Sequence, residues 1–449
     1  MASANLRPTL SELGARVKEL SETLERLLKE SEVEAPTLAA DSPVNISKFT
    51  PEIFTTKQHL QDAMNDLSII SQGPSESVFN YAHNAVPDMA ALNILNRFNF
   101  WEAVPLDGSA SISSIAEKVN LPEEAVKRVI EHATTLRYFT YADPAHPSSS
   151  PIQHTSRSAA LSKTPGLRAL VSGCIENVGP SMLVMPDALE KFALGKKELP
   201  TNVHETAFKL AHSGGQVFGD YNNSWELLEN DGEGDKKGWR QRTFITWMDY
   251  LKDIFGTVDL LLNALDWSQQ GEITVVDIGG SAGHDAIALA TAHPNLTLIV
   301  QDLHECLPPS PPISPLPLPR VSFLEHNFFT PQPLTADIYL LKLILHDWPD
   351  AEAVAIVRNL IPALKPGARI LFIDYMGKQG DIDPDMPRSI TQFGTSTDLR
   401  MMALFNARER SLEAWRGVVE RADARFEVGR VEANPLTYMV VMEVVWRGE

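Results

Sequence analysis

Apolar residues near the amino end of the chain recur at alternating intervals of four and three: Leu6, Leu10, Leu13, Val17, Leu20, Leu24 and Leu27. That spacing predicts an amphipathic helix over 6–28, with Thr9 and Glu12 placed as a capping box at its start. Such a stripe serves either packing on its own chain or a helix in a dimer interface. The polar, proline-containing stretch 31–51 reads as a linker. From about 78 to 165 the pattern predicts short helices and then a hairpin-like tail. The run ISSIAEKVNLPEEAVKRVIEHATTLRYFTYAD reads as helix, turn, helix and strand, and Leu121-Pro122-Glu123-Glu124 carries the proline and acids of a helix start. SSSPIQHT then supplies the wing of a winged-helix unit. Residues 166–270 read as helical, interrupted by a solvated loop at 230–238.

After 271 the texture changes. ITVVDI, LTLIVQD, VSFLEH, ADIYLLK and RILFID are buried-strand candidates, and helical patterns separate the first two and the last two. This is the alternation of a doubly wound α/β sheet. The segment from Pro308 to Pro319 holds seven prolines and can only be a loop. The expected organisation is an amino-terminal helix and linker (1–50), a winged-helix-like unit (51–165), a helical linker region (166–270) and a Rossmann-like domain (271–449).

Charge alters the reading of the winged helix. The 449-residue chain carries a net charge of −19, and its second winged-helix segment, EEAVKRVIEHA, has as many acids as bases. Nucleic-acid affinity comes mainly from Lys and Arg against phosphates, so no nucleic-acid partner is expected and the unit is better read as a scaffold or dimerisation domain. No apolar run is long enough for a transmembrane helix, so no membrane partner is expected, and the amino-terminal residues lack a signal-peptide pattern. Cys174 and Cys306 are isolated, as in a reducing cytoplasmic compartment.

The first strand ends in Val275-Val276-Asp277-Ile278-Gly279-Gly280-Ser281-Ala282-Gly283-His284 and leads into a helix. Gly279, Gly280 and Gly283 allow a ligand to approach the backbone where a Cβ would collide. The glycine spacing differs from G-x-G-x-x-G, which weakens a nicotinamide or flavin assignment. The second strand ends in Asp302-Leu303, and Asp302 is placed to accept hydrogen bonds from both ribose hydroxyls of an adenosine. Asn327 and Phe328, after the third strand, could bind an adenine edge and face. The fourth strand leads into His346, Asp374 ends the fifth, and Glu409 lies in a polar turn. One imidazole with carboxylates to fix its tautomer is what deprotonation of a hydroxyl requires, although a lone histidine is as often structural.

In VVDIGGSAGH, IVQDL, LLKLILHDWPD, LKPGARILFID and FNARERSLEAW, taken in this order, the chain resembles the plant caffeate and flavonoid type O-methyltransferases and their fungal relatives that act on polyketides and other secondary metabolites. The resemblance spans most of the chain from about residue 80. It implies a Rossmann-like methyltransferase domain, S-adenosyl-L-methionine as cofactor, and His346 as general base flanked by Asp374 and Glu409. It further implies Gly279, Asp302, Phe328 and Lys342 around the cofactor, a substrate pocket including Met401, Met402 and Asn406, and a homodimer built by the helical amino-terminal domain. The sequence departs from the plant pattern at Asp374, in place of a longer Glu, at Ser281, in place of a glycine, and at Asn327, in place of an acid.

The expected reaction is in-line transfer of a methyl group to a phenolic or enolic hydroxyl of a small molecule, with His346 taking the proton. No metal is expected. Two other classes stay open. One is a methyltransferase-like pericyclase, cyclase or dehydratase, in which Lys342 and His346 would polarise a carbonyl without methyl transfer. The other is a DNA-binding regulator with a degenerate methyltransferase domain, which the anionic charge disfavours.

Overall fold

The computed structural model describes residues 7–46, 50–215, 217–307, 320–377, 386–434 and 438–448. Leu6 of the predicted stripe and the proline-rich segment 308–319 lie outside them. The chain divides into two compact units, one formed by 1–179 with 242–250 and 385–391, the other by 180–241, 251–384 and 392–449.

In the first unit the predicted helix forms over Leu10–Glu30. Thr9 Oγ1 accepts the Glu12 N–H at 3.2 Å and Glu12 accepts the Thr9 N–H at 2.7 Å, a reciprocal capping box. Leu27 and Leu28 pack on Ile53 of the next helix, Pro51–Gln72. A further helix, Pro74–Arg97, follows across Gly73 at φ +80°. These helices have 22 and 24 residues, and the second is far longer than the short helices expected from about 78. The second contains Pro87 and buries only Ala91 and Leu95, so no apolar stripe marks its length. Helices Ile112–Val119 and Glu123–Thr135 lead into an antiparallel hairpin of β1 (Phe139–Tyr141) and β2 (Ile152–His154). Trp101, Ile115, Val126, Ile130, Phe139 and Ile152 form the core beneath it.

The second unit opens with short helices. The predicted loop 230–238 falls between helices Ser224–Asn230 and Trp239–Phe255. A seven-stranded sheet follows: β3 (Ile273–Ile278), β4 (Leu296–Asp302), β5 (Val321–Glu325), β6 (Ile338–Lys342), β7 (Arg369–Tyr375), β8 (Phe426–Asn434) and β9 (Met439–Trp446), in the order β5-β4-β3-β6-β7-β9-β8. The first five strands, those visible in the sequence, run parallel. The β8–β9 hairpin, absent from the sequence reading, adds two antiparallel strands beside β7. Alternate residues along each strand face opposite sides. Val276, Ile278, Tyr339, Leu341 and Phe372 enter one core, and Val275, Leu298, Leu340, Leu371 and Ile373 the other. Both faces are therefore covered, as a parallel sheet requires. No helix among the described residues is long and apolar enough to cross a membrane.

Candidate active site

The strand order creates the site. The chain steps outward from β3 through β4 to β5, then crosses back to place β6 on the other side of β3. The turns after β3 and β6 therefore diverge, leaving a crevice at the carboxyl ends of the strands, where open α/β sheets bind ligands.

The turn after β3 is tied to β4, since the N–H groups of Gly279 and Gly280 both reach the Gln301 carbonyl, at 2.8 and 3.2 Å. Gly279 has φ +71°, and a Cβ there would stand 2.5 Å from Ile344 Cδ1. A Cβ on Gly280 would stand 2.5 Å from Asp277 Oδ2. Gly283 caps helix His284–Ala292 at φ +77°, where a Cβ would meet the Phe323 ring at 2.9 Å. Bare backbone is thus a packing requirement at all three positions. Asp302 lies against the same turn, its two oxygens accepting the N–H groups of Ser281 at 2.9 Å and Leu303 at 2.8 Å. The Phe328 ring comes 3.9 Å from the Cβ position of Gly279 and packs edge-on against Trp348. Asn327 is exposed, and its side-chain oxygen accepts the Phe329 N–H at 2.9 Å, closing a local turn.

Three charged groups lie beneath this turn. Lys342, at the end of β6, is buried and bonds Asp285 at 2.6 Å. Asp277, at the end of β3, has no hydrogen-bond partner for Oδ2 among the described residues. Burial and the charge of Asp285 push its carboxyl up to about 7, against the pull of Lys342. A buried acceptor left unmet is costly unless a ligand meets it. Its position against Gly280, with Asp302 alongside, suits a cofactor that carries an ammonium, a sulfonium and a ribose. The residues present fit that group. Neither Asp277 nor Asp285 stood out in the sequence, where nothing marks a strand-end acid as buried or names its partner.

The turn after β6 begins with Leu343 at φ +57°, a left-handed conformation that costs a bulky residue about 1–2 kcal/mol. It redirects the chain into the tight turn Leu345–Asp347. There His346 is buried, its backbone N–H donating to Asp374 at 3.3 Å and its ring Nδ1 lying 3.3 Å from Glu409. Asp347 faces Nε2 at 3.6 Å. The structure thus gathers His346, Asp374 and Glu409, which are far apart in sequence, and adds Asp347, the neighbour in LHDW that sequence reasoning passed over. Tyr375 tilts its ring 5.2 Å from the imidazole. Burial pushes the imidazole down, but Asp347, Asp374 and Glu409 together outweigh it and lift it to about 10. Burial and the neighbouring Glu409 charge push Asp374 up to about 7 and Asp347 up to about 6. Glu409 Oε2 has no partner among the described residues. Around the ring, no group of three or more described His, Cys, Asp or Glu side chains is arranged to hold a metal ion.

Helix Arg388–Phe405 carries Met401 and Met402. Met402 and Asn406 line an apolar cavity with Met185, Leu189, Phe192 and Leu199, whereas Met401 is buried and does not line it. Asn406 spends its amide donors on the carbonyls of Asn202 at 2.9 Å and Glu205 at 3.2 Å, which close one wall.

Comparison with known proteins accords with this arrangement. The O-methyltransferase domain family matches residues 235–425. The O-methyltransferase lcsG of Purpureocillium lilacinum is 41% identical over 97% of this chain and 94% of that protein. The chain belongs to the O-methyltransferase family. S-Adenosylmethionine is the methyl donor of this family, in keeping with the carboxylates around the glycine turn of this O-methyltransferase. A second relative, the O-methyltransferase AMT9 of Alternaria alternata, is 33% identical over 88% of this chain and 85% of its own. Among solved structures, a pericyclic reaction enzyme superposes with a TM-score of 0.69 at 20% identity, covering 96% of this O-methyltransferase and 99% of that enzyme, a likeness of fold.

Proposed function

We propose that this O-methyltransferase methylates a phenolic or enolic hydroxyl of a small secondary metabolite, with His346 as the base. One observation carries the reading. An imidazole with Glu409 at one nitrogen and Asp347 at the other, its backbone N–H held by Asp374, stands at the strand ends that also carry the glycine turn. S-Adenosylmethionine, when bound, supplies an electrophilic methyl group. Gly279, Gly280 and Gly283 open the backbone to it, Asp302, Leu303, Asn327 and Phe328 line the nucleoside side, and Asp277 and Lys342 set the charge beneath.

His346 takes the hydroxyl proton. A ring lifted to about 10 lies close to an ordinary phenol, so transfer is nearly balanced in energy, and the three carboxylates stabilise the imidazolium that forms. Met402 lines the apolar side of the substrate site, where methionines adapt to flat rings, with Met401 packed behind it and Asn406 holding its wall. We assign no pericyclic role, because the relatives with substantial sequence identity are O-methyltransferases.

We also propose that the first unit, read as a winged-helix scaffold, forms a homodimer. Helices Pro51–Gln72 and Pro74–Arg97 expose the apolar side chains of Met64, Ile69, Val78, Phe79, Tyr81 and Val86, which a second copy would cover. Cys174 and Cys306, which form no disulfide, fit a cytosolic setting. The test is methyl transfer from labelled cofactor to a panel of phenolic polyketides. His346→Ala should lose about 100- to 10,000-fold in rate and still bind S-adenosylhomocysteine in calorimetry. Near-intact transfer by that variant would remove His346 as the base.

A further inference from the structure

The Arg410 side chain is fully buried, yet its position in the sequence, beside Glu409 in a polar turn, suggests a solvated charge. Its guanidinium makes three hydrogen bonds. Nε donates to Asp350 Oδ1 at 2.8 Å, Nη1 to the Leu345 carbonyl at 2.9 Å, and Nη2 to the Trp348 carbonyl at 2.6 Å. The two carbonyls bracket His346 and Asp347. The face of the guanidinium lies 4.7 Å from the Trp415 ring centroid, so it is fixed from a fourth direction.

The backbone of the same segment is equally constrained. The Gly377 N–H donates to the Arg410 carbonyl at 2.8 Å, and Gly377 approaches so closely that a Cβ would stand 2.3 Å from the Glu409 carbonyl oxygen. The Glu409 N–H donates to Asp398 at 2.8 Å. Asp350, which anchors Nε, also takes Arg408 at 2.8 Å and Arg421 at 3.0 Å.

We propose that Arg410 is a positioning residue that locks the His346 turn to the Glu409 carboxylate. The inference rests on His346 being the base. A planar fork can hold two carbonyls at a fixed separation, which a lysine cannot do. Glu409 and Arg410 are adjacent in the loop between helices Arg388–Phe405 and Leu412–Ala422, so the segment that carries the acid also clamps the turn that carries the imidazole. The 3.3 Å contact between Nδ1 and Glu409 is thereby set from both sides.

Arg410→Lys keeps the charge and the Asp350 contact but loses the fork. We expect kcat to fall about 10- to 100-fold, with S-adenosylhomocysteine affinity changed by less than about twofold and KM for the phenol by less than about threefold. In a His346→Ala background the same substitution should cost less than about threefold, because the residue it positions is gone. A cost carried over in full to that background would overturn the proposal. Independently of turnover, spectra of protein labelled with nitrogen-15 in histidine should show the His346 ring signals displaced by Arg410→Lys, and unchanged signals would overturn it. If the wild-type protein methylates no phenol while those signals move, the methyl-transfer reading fails and the positioning role stands. Should the lysine variant not fold, Asp350→Asn weakens the anchor of Nε while leaving both carbonyl bonds of Arg410 in place. Arg408→Ala with Arg421→Ala, which remove the other two partners of Asp350, should leave the His346 signals unmoved. In Asp350→Asn, a displaced His346 signal with a few-fold loss in kcat supports the clamp, and an unmoved spectrum and rate refute it.

Discussion

Replacing Glu409 with glutamine asks whether the His346 imidazole is the group whose ionisation gates the reaction. Three buried carboxylates lift that ring from its ordinary 6.5 to about 10, against burial acting the other way. Shared among the three, the net rise assigns Glu409 about one pH unit or somewhat more, on the order of 1–2 kcal/mol. The sign follows from the direction of the shift. A ring raised to about 10 is protonated at neutral pH, and only its neutral fraction can accept a proton. Activity should therefore climb with pH, about tenfold per unit, until the pH passes the value of the ring. With glutamine in place, that value drops and the rising limb moves to lower pH by roughly one to two units. The plateau should fall about 10- to 100-fold, because Nδ1 loses the anion 3.3 Å away that orients it. The assay is kcat/KM for transfer of labelled methyl from about pH 6 to about pH 10, with cofactor saturating. The variant should lose less at the acid end than at the alkaline end. A limb that stays where it was, or moves to higher pH, would refute the reasoning.

Asp277→Asn should raise the melting temperature of the ligand-free protein at alkaline pH and weaken S-adenosylhomocysteine binding about tenfold or more. The carboxyl is raised from 3.8 to about 7 by burial, so its folded state loses stability as pH climbs between those values, by roughly 4 kcal/mol in total; a variant melting lower than wild type would contradict this. Gly279→Ala forces a side chain into φ +71° and onto Ile344, and thermal melts should show a loss of about 1–3 kcal/mol together with weaker cofactor binding. Light scattering should give a dimer for the wild type and a monomer for Val78→Lys with Phe79→Glu, with the circular dichroism spectrum preserved. A wild-type monomer at micromolar concentration would count against that interface.

Several features were legible in the chain before folding. Thr9 and Glu12 announce a capping box, and the box forms because its bonds span only three residues. The five parallel strands carry continuous apolar runs because both their faces are buried. Helix Pro74–Arg97 was legible only in part, since it buries two residues and leaves its apolar side chains facing outward, without the stripe that packing on its own chain would impose. The β8–β9 hairpin was not read at all, although β9 is nearly all apolar. Its pairing with β7 joins residues about seventy positions apart, as in Arg369 with Val445.

The sequence by itself determined which segments make the five parallel strands, where the backbone must be bare at Gly279, Gly280 and Gly283, and which residue types stand at those strand ends. Those are local properties, set by side-chain period and steric room. Only the tertiary structure decided that Lys342 meets Asp285, that Asp277 is buried with an acceptor left over, and that His346 is shared by Asp347, Asp374 and Glu409. Burial and proximity set those charges, and both arise when strands distant in sequence become neighbours in the sheet. The Arg410 clamp has the same origin, because a guanidinium can hold the Leu345 and Trp348 carbonyls only after the fold has carried them to it.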